Sequence, residues 1–102
     1  GHLVFGHVDG VATIAGIEPD GQSRRYAFAL PEDLACFVAV KGSLALDGVS
    51  LTVNGIEGAR CAITMIPHTL TATSFASAEV GDRVNIEIDM LARYVARLLE
   101  FR

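Results

Sequence analysis

Apolar and polar residues alternate in several short runs along the chain. The most regular run is 84–88, where Val84, Ile86 and Ile88 alternate with polar residues, the period of a half-buried β-strand. Similar runs, rich in β-branched or aromatic residues, occupy positions 8–17, 26–30, 43–46, 49–53 and 60–66. About six short strands without a long βαβ crossover predict a small antiparallel barrel or sandwich.

Turn-forming residues separate these runs. Asp47-Gly48 lies between two strand-like runs and predicts a tight hairpin, because both central residues of a type I′ turn need positive φ. Glu18-Pro19-Asp20-Gly21 predicts a turn after a first strand that is kinked at a glycine. Asn54-Gly55 and Glu57-Gly58 are expected to end the second hairpin strand before a new strand begins at Arg60.

Helical signals are few and short. Pro31, followed by two acidic residues, predicts a short helix that continues through 36–40, and 68–74 is either a helical turn or a loop. From 90 to 101 apolar residues fall at helical spacing, and Asp89 can cap the first turn. This C-terminal amphipathic helix either folds over the open end of its own barrel or packs against copies of itself.

Composition narrows the range of partners. The 102 residues suit one domain, and 8 Lys+Arg against 12 Asp+Glu give a formal charge of −4, so a nucleic-acid partner is not expected. No apolar run reaches the roughly 18 residues of a membrane helix, so no membrane partner is expected either. Cys36 and Cys61 have no metal-ligand spacing and are interpreted as reduced thiols of a cytoplasmic protein, with Cys61 filling the core.

A few polar residues could carry chemistry. Ser50 and Thr52 share one face of their strand, opposite its valine and leucine residues, and present two hydroxyls to a flat heterocycle, a polyol or solvent. Asp89 could accept hydrogen bonds from ligand hydroxyls, cap the last helix, or do both. The histidines lack metal-ligand spacing and are interpreted first as surface or hydrogen-bonded structural residues: His2, His7 and His68. Motifs of a hydrolase elbow, P-loop or dinucleotide cradle do not occur.

Four segments, in this order, resemble riboflavin synthase: 1–10 (GHLVFGHVDG), 41–54 (KGSLALDGVSLTVN), 66–70 (IPHTL) and 81–89 (GDRVNIEID). The family carries two similar barrels in tandem. The Gly-His opening and a serine at position 50, where first halves carry cysteine, resemble the second barrel. The chain is therefore expected to be the C-terminal half of such an enzyme, with its first half left out.

This resemblance implies a six-stranded antiparallel Greek-key barrel with short helices. Residues 1–89 would form the lumazine-binding barrel, and 90–102 a C-terminal helix of the same domain. The barrel would bind one 6,7-dimethyl-8-ribityllumazine or riboflavin, and the full enzyme, a transferase, would convert two lumazines into riboflavin and a ribitylaminopyrimidine. Neither a metal nor an organic cofactor is implied.

The resemblance also implies partners. The two substrates would be stacked between a first-half barrel and a second-half barrel, usually from different subunits of a homotrimer. The N-terminal barrel half is thus an expected partner. The isolated second half is expected to bind ligand with little or no synthase activity.

Residue roles follow from the same resemblance. His7, Ser50 and Thr52 would be the catalytic group, with the two hydroxyls also contacting the ring. Ile66 and Thr69 would form a wall of the substrate pocket, and Asp89 would contact the ribityl chain. The reaction removes a proton from the 7-methyl group of one lumazine, which suits a hydroxyl or an imidazole beside the ring. Positioning two rings face to face could contribute on the order of 7–11 kcal/mol.

Two other functions fit part of the pattern. A non-catalytic flavin or lumazine carrier would share the fold, since the lumazine proteins of luminescent bacteria are similar to this family. Carriers tend to lose residues at the reacting face, whereas His7, Ser50 and Thr52 are all present. An oligonucleotide-binding barrel would need a basic groove and stacked aromatic residues, which the sequence lacks. Lys41, His2 and Gly48 match the family motif and are given a structural role.

Overall fold

The computed structural model describes residues 4–101, and all of their strands belong to one antiparallel sheet. Its strands are β1 (Gly10–Asp20), β2 (Ser23–Ala29), β3 (Ser43–Leu46), β4 (Val49–Thr52), β5 (Gly55–Glu57), β6 (Arg60–Met65) and β7 (Arg83–Ile88). The helices are α1 (Glu32–Ala35), α2 (Pro67–Ala72) and α3 (Met90–Leu99), and Ser74–Ser77 forms a 3₁₀ turn. The predicted all-β antiparallel fold is confirmed, whereas the start of the family motif, including His2, lies outside the described residues.

The sheet curls until its two edges meet. The strand order is β4-β3-β7-β1-β2-β6-β5, so the edge strands β4 and β5 are consecutive in the chain. Val53 N–H donates to the Gly42 carbonyl on the β3 side, and Asn54 N–H donates to the Ala62 carbonyl on the β6 side. One bent run therefore pairs with both neighbours, and the predicted six strands appear as seven because this run is interrupted at 53–54.

The core is formed by alternate residues of the strands, because every second side chain of a strand faces inward. Inward-facing residues of every long strand are buried, and the largest are Tyr26 and Phe28 of β2. Phe75 of the 3₁₀ turn packs edge-on against both rings, at centroid distances of 6.1 and 6.5 Å. The Tyr26 hydroxyl donates to the Phe75 carbonyl at 2.8 Å, which satisfies a buried polar group on each side.

The first strand is longer than expected. The predicted kink at a glycine is a bulge between Ile14 and Gly16 in the pairing with β2. The turn predicted at 18–21 forms two to three residues later, at 21–22, because β1 continues to Asp20. Pro19 pairs with Arg24 of β2, and no strand faces it on the other edge, because β7 borders β1 only from Gly10 to Thr13.

The β3–β4 hairpin forms as predicted, whereas the short helix before it does not. Asp47 and Gly48 have φ values of 48° and 78°, the left-handed conformation that a type I′ turn needs. Helix α1 ends at Ala35 instead of continuing through 36–40. After two tight turns at Phe37 and Val38, the Lys41 N–H donates to the Val53 carbonyl at 2.8 Å, which extends the β3–β4 ladder.

Helix α3 ends at Leu99, two residues before the predicted end. None of its residues is buried, and its apolar side chains Leu91, Tyr94 and Leu98 are all more than half exposed. Arg93 attaches it to the barrel through an ion pair with Asp9 at 2.8 Å, and its guanidinium lies over the Phe37 ring. No helix among residues 4–101 has the length and apolar character needed to cross a membrane.

Candidate functional site

Three neighbouring strands, β4, β3 and β7, present an outward face opposite the core. Pairing places Ser50 opposite Ala45, and Ala45 opposite Glu87, so these three side chains form one row across the sheet. In the next row Thr52 lies opposite Ser43. The β3–β7 ladder ends at the Leu44–Ile88 pair, and alternation assigns Ser43 and Asp89, the next residue on each side, to the outward face as well. We call this surface the outer hairpin face: Ser43, Ala45, Ser50, Thr52, Glu87 and Asp89.

The predicted division of the hairpin strand between two faces is confirmed. Leu51 and Val53 are buried in the core, Thr52 is exposed and Ser50 is half-buried. Both hydroxyl-bearing side chains therefore belong to the outward face. Two hydroxyls two residues apart can each donate and accept hydrogen bonds from the same side of the sheet.

The segment before β1 crosses this face as an arm of residues 4–9. The Phe5 N–H donates to Glu87 Oε2 at 2.8 Å, and the His7 N–H donates to Glu87 Oε1 at 3.0 Å. Gly6, between them, has a φ of 74°, which turns both N–H groups towards one carboxylate. Sequence pattern placed Glu87 on the polar face of β7, but its side chain is only 7% exposed, because the arm covers it.

His7 reaches the outer hairpin face through this arm. Its ring stacks on Phe5 with a centroid distance of 6.1 Å and an interplanar angle of 25°. The imidazole is exposed, while the backbone beneath it is bonded to Glu87. The arm thus brings His7 to the sheet face that carries Ser50, although the two residues are far apart in sequence.

The far end of the arm is tied to β7 and α3. Asp9 Oδ2 accepts from the Ile88 N–H at 2.8 Å, and Oδ1 accepts from the Arg93 guanidinium at 2.8 Å. Asp89 Oδ1 accepts from the Leu91 N–H at 3.2 Å, so the predicted helix cap is confirmed. The capping carboxylate is half-buried, at the end of the row that contains Thr52.

Ile66 and Thr69 lie where β6 leads into α2, outside the two rows of the outer hairpin face. Ile66 is 55% exposed and directly precedes α2, whose first residue is Pro67. Thr69 is half-buried, and its carbonyl accepts from the Thr73 hydroxyl at 2.7 Å. Helix α2 follows β6, and β6 contacts β4 where the barrel closes. The structure thus places both residues directly after the strand that contacts β4.

A small cavity of about 80 Å³ lies between the arm and the outer hairpin face, lined by Gly6, Val8, Ala45 and Glu87 among others. Ligand pockets that enclose a bicyclic molecule usually measure roughly 300–1,000 Å³. A single barrel therefore offers an open platform, which a second surface would have to cover. A larger cleft of about 330 Å³ lies between α3 and residues 36–39, but its lining is almost wholly apolar.

The titratable groups of the described residues give little indication of other chemistry, such as metal binding or reactions of a thiol. Among residues 4–101, no three His, Cys, Asp or Glu side chains are grouped so that they could hold a metal ion. Burial raises the pKa of the Cys61 thiol to about 11, and this thiol faces the core as predicted. Cys36 is exposed, and neither cysteine is in a disulfide.

Sequence reasoning missed three members of the face: Ser43, Ala45 and Glu87. Alternation showed that Glu87 points away from the core, but it could not show that the arm would cover it. The register of β3 with β7 was also needed to align Glu87 with Ala45 and Ser50. The sequence offered one indication that the arm could fold onto Glu87: Gly6 lies between Phe5 and His7 and permits a left-handed turn in the arm.

Comparison with known proteins decides the family. The lumazine binding domain family matches residues 5–89. The chain belongs to this family. The lumazine-binding domain is 51% identical over all 102 residues to riboflavin synthase from Brucella abortus, of which it covers 50%. It is 41% identical to riboflavin synthase from Bacillus subtilis over 97% of the chain and 46% of that protein. The domain thus spans about half the length of these relatives, and the resemblance to one half of riboflavin synthase is confirmed.

Solved structures share the fold of this lumazine-binding domain. LumP complexed with 6,7-dimethyl-8-(1'-D-ribityl)lumazine superposes with a TM-score of 0.77 at 24% identity, over 81% of this chain and 47% of LumP. LumP complexed with riboflavin gives the same TM-score over 45% of its length. At this identity the likeness establishes the barrel architecture.

Proposed function

We propose that this chain is the C-terminal half of a riboflavin synthase and that its outer hairpin face binds one 6,7-dimethyl-8-ribityllumazine, or riboflavin. The observation that carries the proposal is the pair of rows across β4, β3 and β7, which aligns Ser50 and Thr52 with further polar groups on a face that the arm covers only at Ala45 and Glu87. In this proposal residues 1–89 are the binding barrel and 90–102 a helix of the same domain.

The face suits such a ligand chemically. A flat, polar ring needs hydrogen bonds in its plane, which Ser50 and Thr52 supply, and a polyol needs short polar acceptors such as Asp89. Ile66 and Thr69 form the wall beside β4. Three adjacent strands span about 10 Å, which accommodates the ring and the start of its tail.

The reaction needs a second barrel. One lumazine transfers a four-carbon unit to the other, so that the acceptor becomes riboflavin and the donor becomes a ribitylaminopyrimidine, and the 7-methyl group of one of them loses a proton. His7, Ser50 and Thr52 are the proposed catalytic group that receives or relays this proton. An open platform holds only one of the two rings, so the N-terminal half, in a homotrimeric cytoplasmic enzyme, supplies the other. The isolated C-terminal half therefore binds ligand with little or no activity.

Ligand titration tests the binding site. The purified chain should quench the fluorescence of 6,7-dimethyl-8-ribityllumazine and of riboflavin. Ser50→Ala combined with Thr52→Val should weaken binding by about 1–3 kcal/mol, roughly 5- to 150-fold, because two ligand hydrogen bonds are lost. Thr13→Val with Ser23→Ala makes the same chemical change on β1 and β2, away from the face, and should leave affinity unchanged. Failure of the unaltered chain to bind, or equal affinity in both double variants, would reject the site.

A carrier function is the second candidate, because LumP shares the barrel fold. The presence of His7, Ser50 and Thr52 together favours the enzyme. Mixing this chain with the remaining half of the Brucella abortus enzyme, and measuring riboflavin formed from lumazine, separates the two functions. Riboflavin formation supports the enzyme half; ligand binding without product in the mixture supports the carrier.

A further inference from the structure

One buried side chain holds the arm on the barrel. Glu87 is the single charged residue buried among residues 4–101, and both of its carboxylate oxygens accept backbone N–H groups, from Phe5 and His7. These two hydrogen bonds span almost the whole described chain. The next attachment of the arm is at Asp9, whose N–H donates to the Ile86 carbonyl.

The residues around Glu87 allow it to hold the arm on the barrel. Its neighbour across the β3–β7 ladder is Ala45, whose small side chain leaves room for the arm above. Gly6 adopts a positive φ between the two donors, so the backbone forms a concave anion site, which Glu87 fills. A glutamine would offer one acceptor oxygen where two N–H donors converge, so the arrangement is specific for a carboxylate.

We infer that Glu87 is a positioning residue: by fixing the arm it holds the backbone of His7 at the outer hairpin face, from where the exposed imidazole reaches a ligand bound there. The inference rests on the proposed function, because it concerns the ligand bound at that face. His7 touches the ligand, whereas Glu87 acts through the arm. Loss of the carboxylate then weakens ligand binding without changing any atom of Ser50 or Thr52.

Glu87→Gln in the 102-residue chain tests this directly. Fluorescence titration with 6,7-dimethyl-8-ribityllumazine should show about tenfold weaker binding, the effect of losing one charge-assisted hydrogen bond that orders the arm. Glu57→Gln is the matched control, since Glu57 is exposed on β5, outside the face, and its variant should bind like the unaltered chain. Circular dichroism of both variants checks that the barrel is folded.

An NMR signal distinguishes a positioning role of Glu87 from a merely structural role in the barrel. The His7 ring protons should shift on ligand addition in the unaltered chain and in Glu57→Gln, and should stay unshifted in Glu87→Gln. His7→Ala should weaken binding in the unaltered background and have no further effect in the Glu87→Gln background. Equal penalties of His7→Ala in both backgrounds would overturn the inference.

A second variant covers the case in which Glu87→Gln does not fold. Gly6→Val leaves Glu87 and the core intact, and a Cβ at Gly6 has no heavy atom within 4 Å. Its effect is confined to the left-handed backbone of the arm, which valine disfavours. It should reproduce the loss of affinity and of the His7 shift. If Ser50→Ala with Thr52→Val weakens binding but Gly6→Val does not, the positioning role is wrong and the proposed function stands; if neither does, the proposed site itself is wrong.

Discussion

Cys61 should make the stability of the barrel depend on pH above 9. The thiol is buried at 1% exposure between the strands of the core, and this burial raises its pKa from 9.0 to about 11. Backbone hydrogen bonds from Phe28 and Cys61 itself lower the pKa by less than burial raises it. In the unfolded chain the thiol is hydrated and ionises more readily.

The direction of the pH effect on stability follows from this difference in pKa between the folded and unfolded states. Below pH 9 the thiol is protonated in both states, so its full contribution to stability is present. As the pH rises from 9 to 11, the unfolded state loses the proton first and is favoured, so stability falls. A difference of about 2 pKa units corresponds to about 3 kcal/mol, which is lost over this window.

Urea unfolding, followed by circular dichroism at pH values from 8 to 11.5, measures the effect. Cys61→Ala removes the titrating group and should cost about 1 kcal/mol at pH 8, because it leaves a small cavity. Both proteins carry Cys36→Ser so that the exposed thiol does not form disulfides. The alanine variant should become the more stable of the two near pH 10 and remain so at pH 11. A stability difference that stays constant across the range would refute the assignment, because other titrating groups are common to both proteins.

Two further substitutions test the core and the helix cap. Phe75→Ala should destabilise the barrel by about 3–5 kcal/mol, measured by urea unfolding, because it removes a ring that packs against Tyr26 and Phe28. An effect below 1 kcal/mol would show that the 3₁₀ turn does not close the core. Asp89→Ala should cost about 1 kcal/mol of local helix stability, seen as reduced helical circular dichroism, whereas Asp89→Asn should preserve the cap. Equal helix content in Asp89→Ala and Asp89→Asn would contradict the capping role.

Much of the candidate site was predictable, because it depends on local geometry. The period of two assigned Ser50 and Thr52 to the outward face without knowledge of any neighbouring strand. The cap formed by Asp89 was predictable from its position before a helical run. Whether His7, Ile66 and Thr69 act on a ligand stays a prediction, and the structure adds where each of them lies.

By itself, the sequence determined the elements that short-range chemistry decides: the strand faces, the Asp47-Gly48 hairpin and the start of α3. Tertiary structure decided the rest, because it depends on which distant segments pair. Insertion of β7 between β3 and β1 brought Glu87 beneath the arm, and pairing with β2 kept Pro19 within a strand. Alternation cannot distinguish an outward carboxylate that meets solvent from one that meets another segment of the chain. The burial of Glu87 therefore followed from the fold alone.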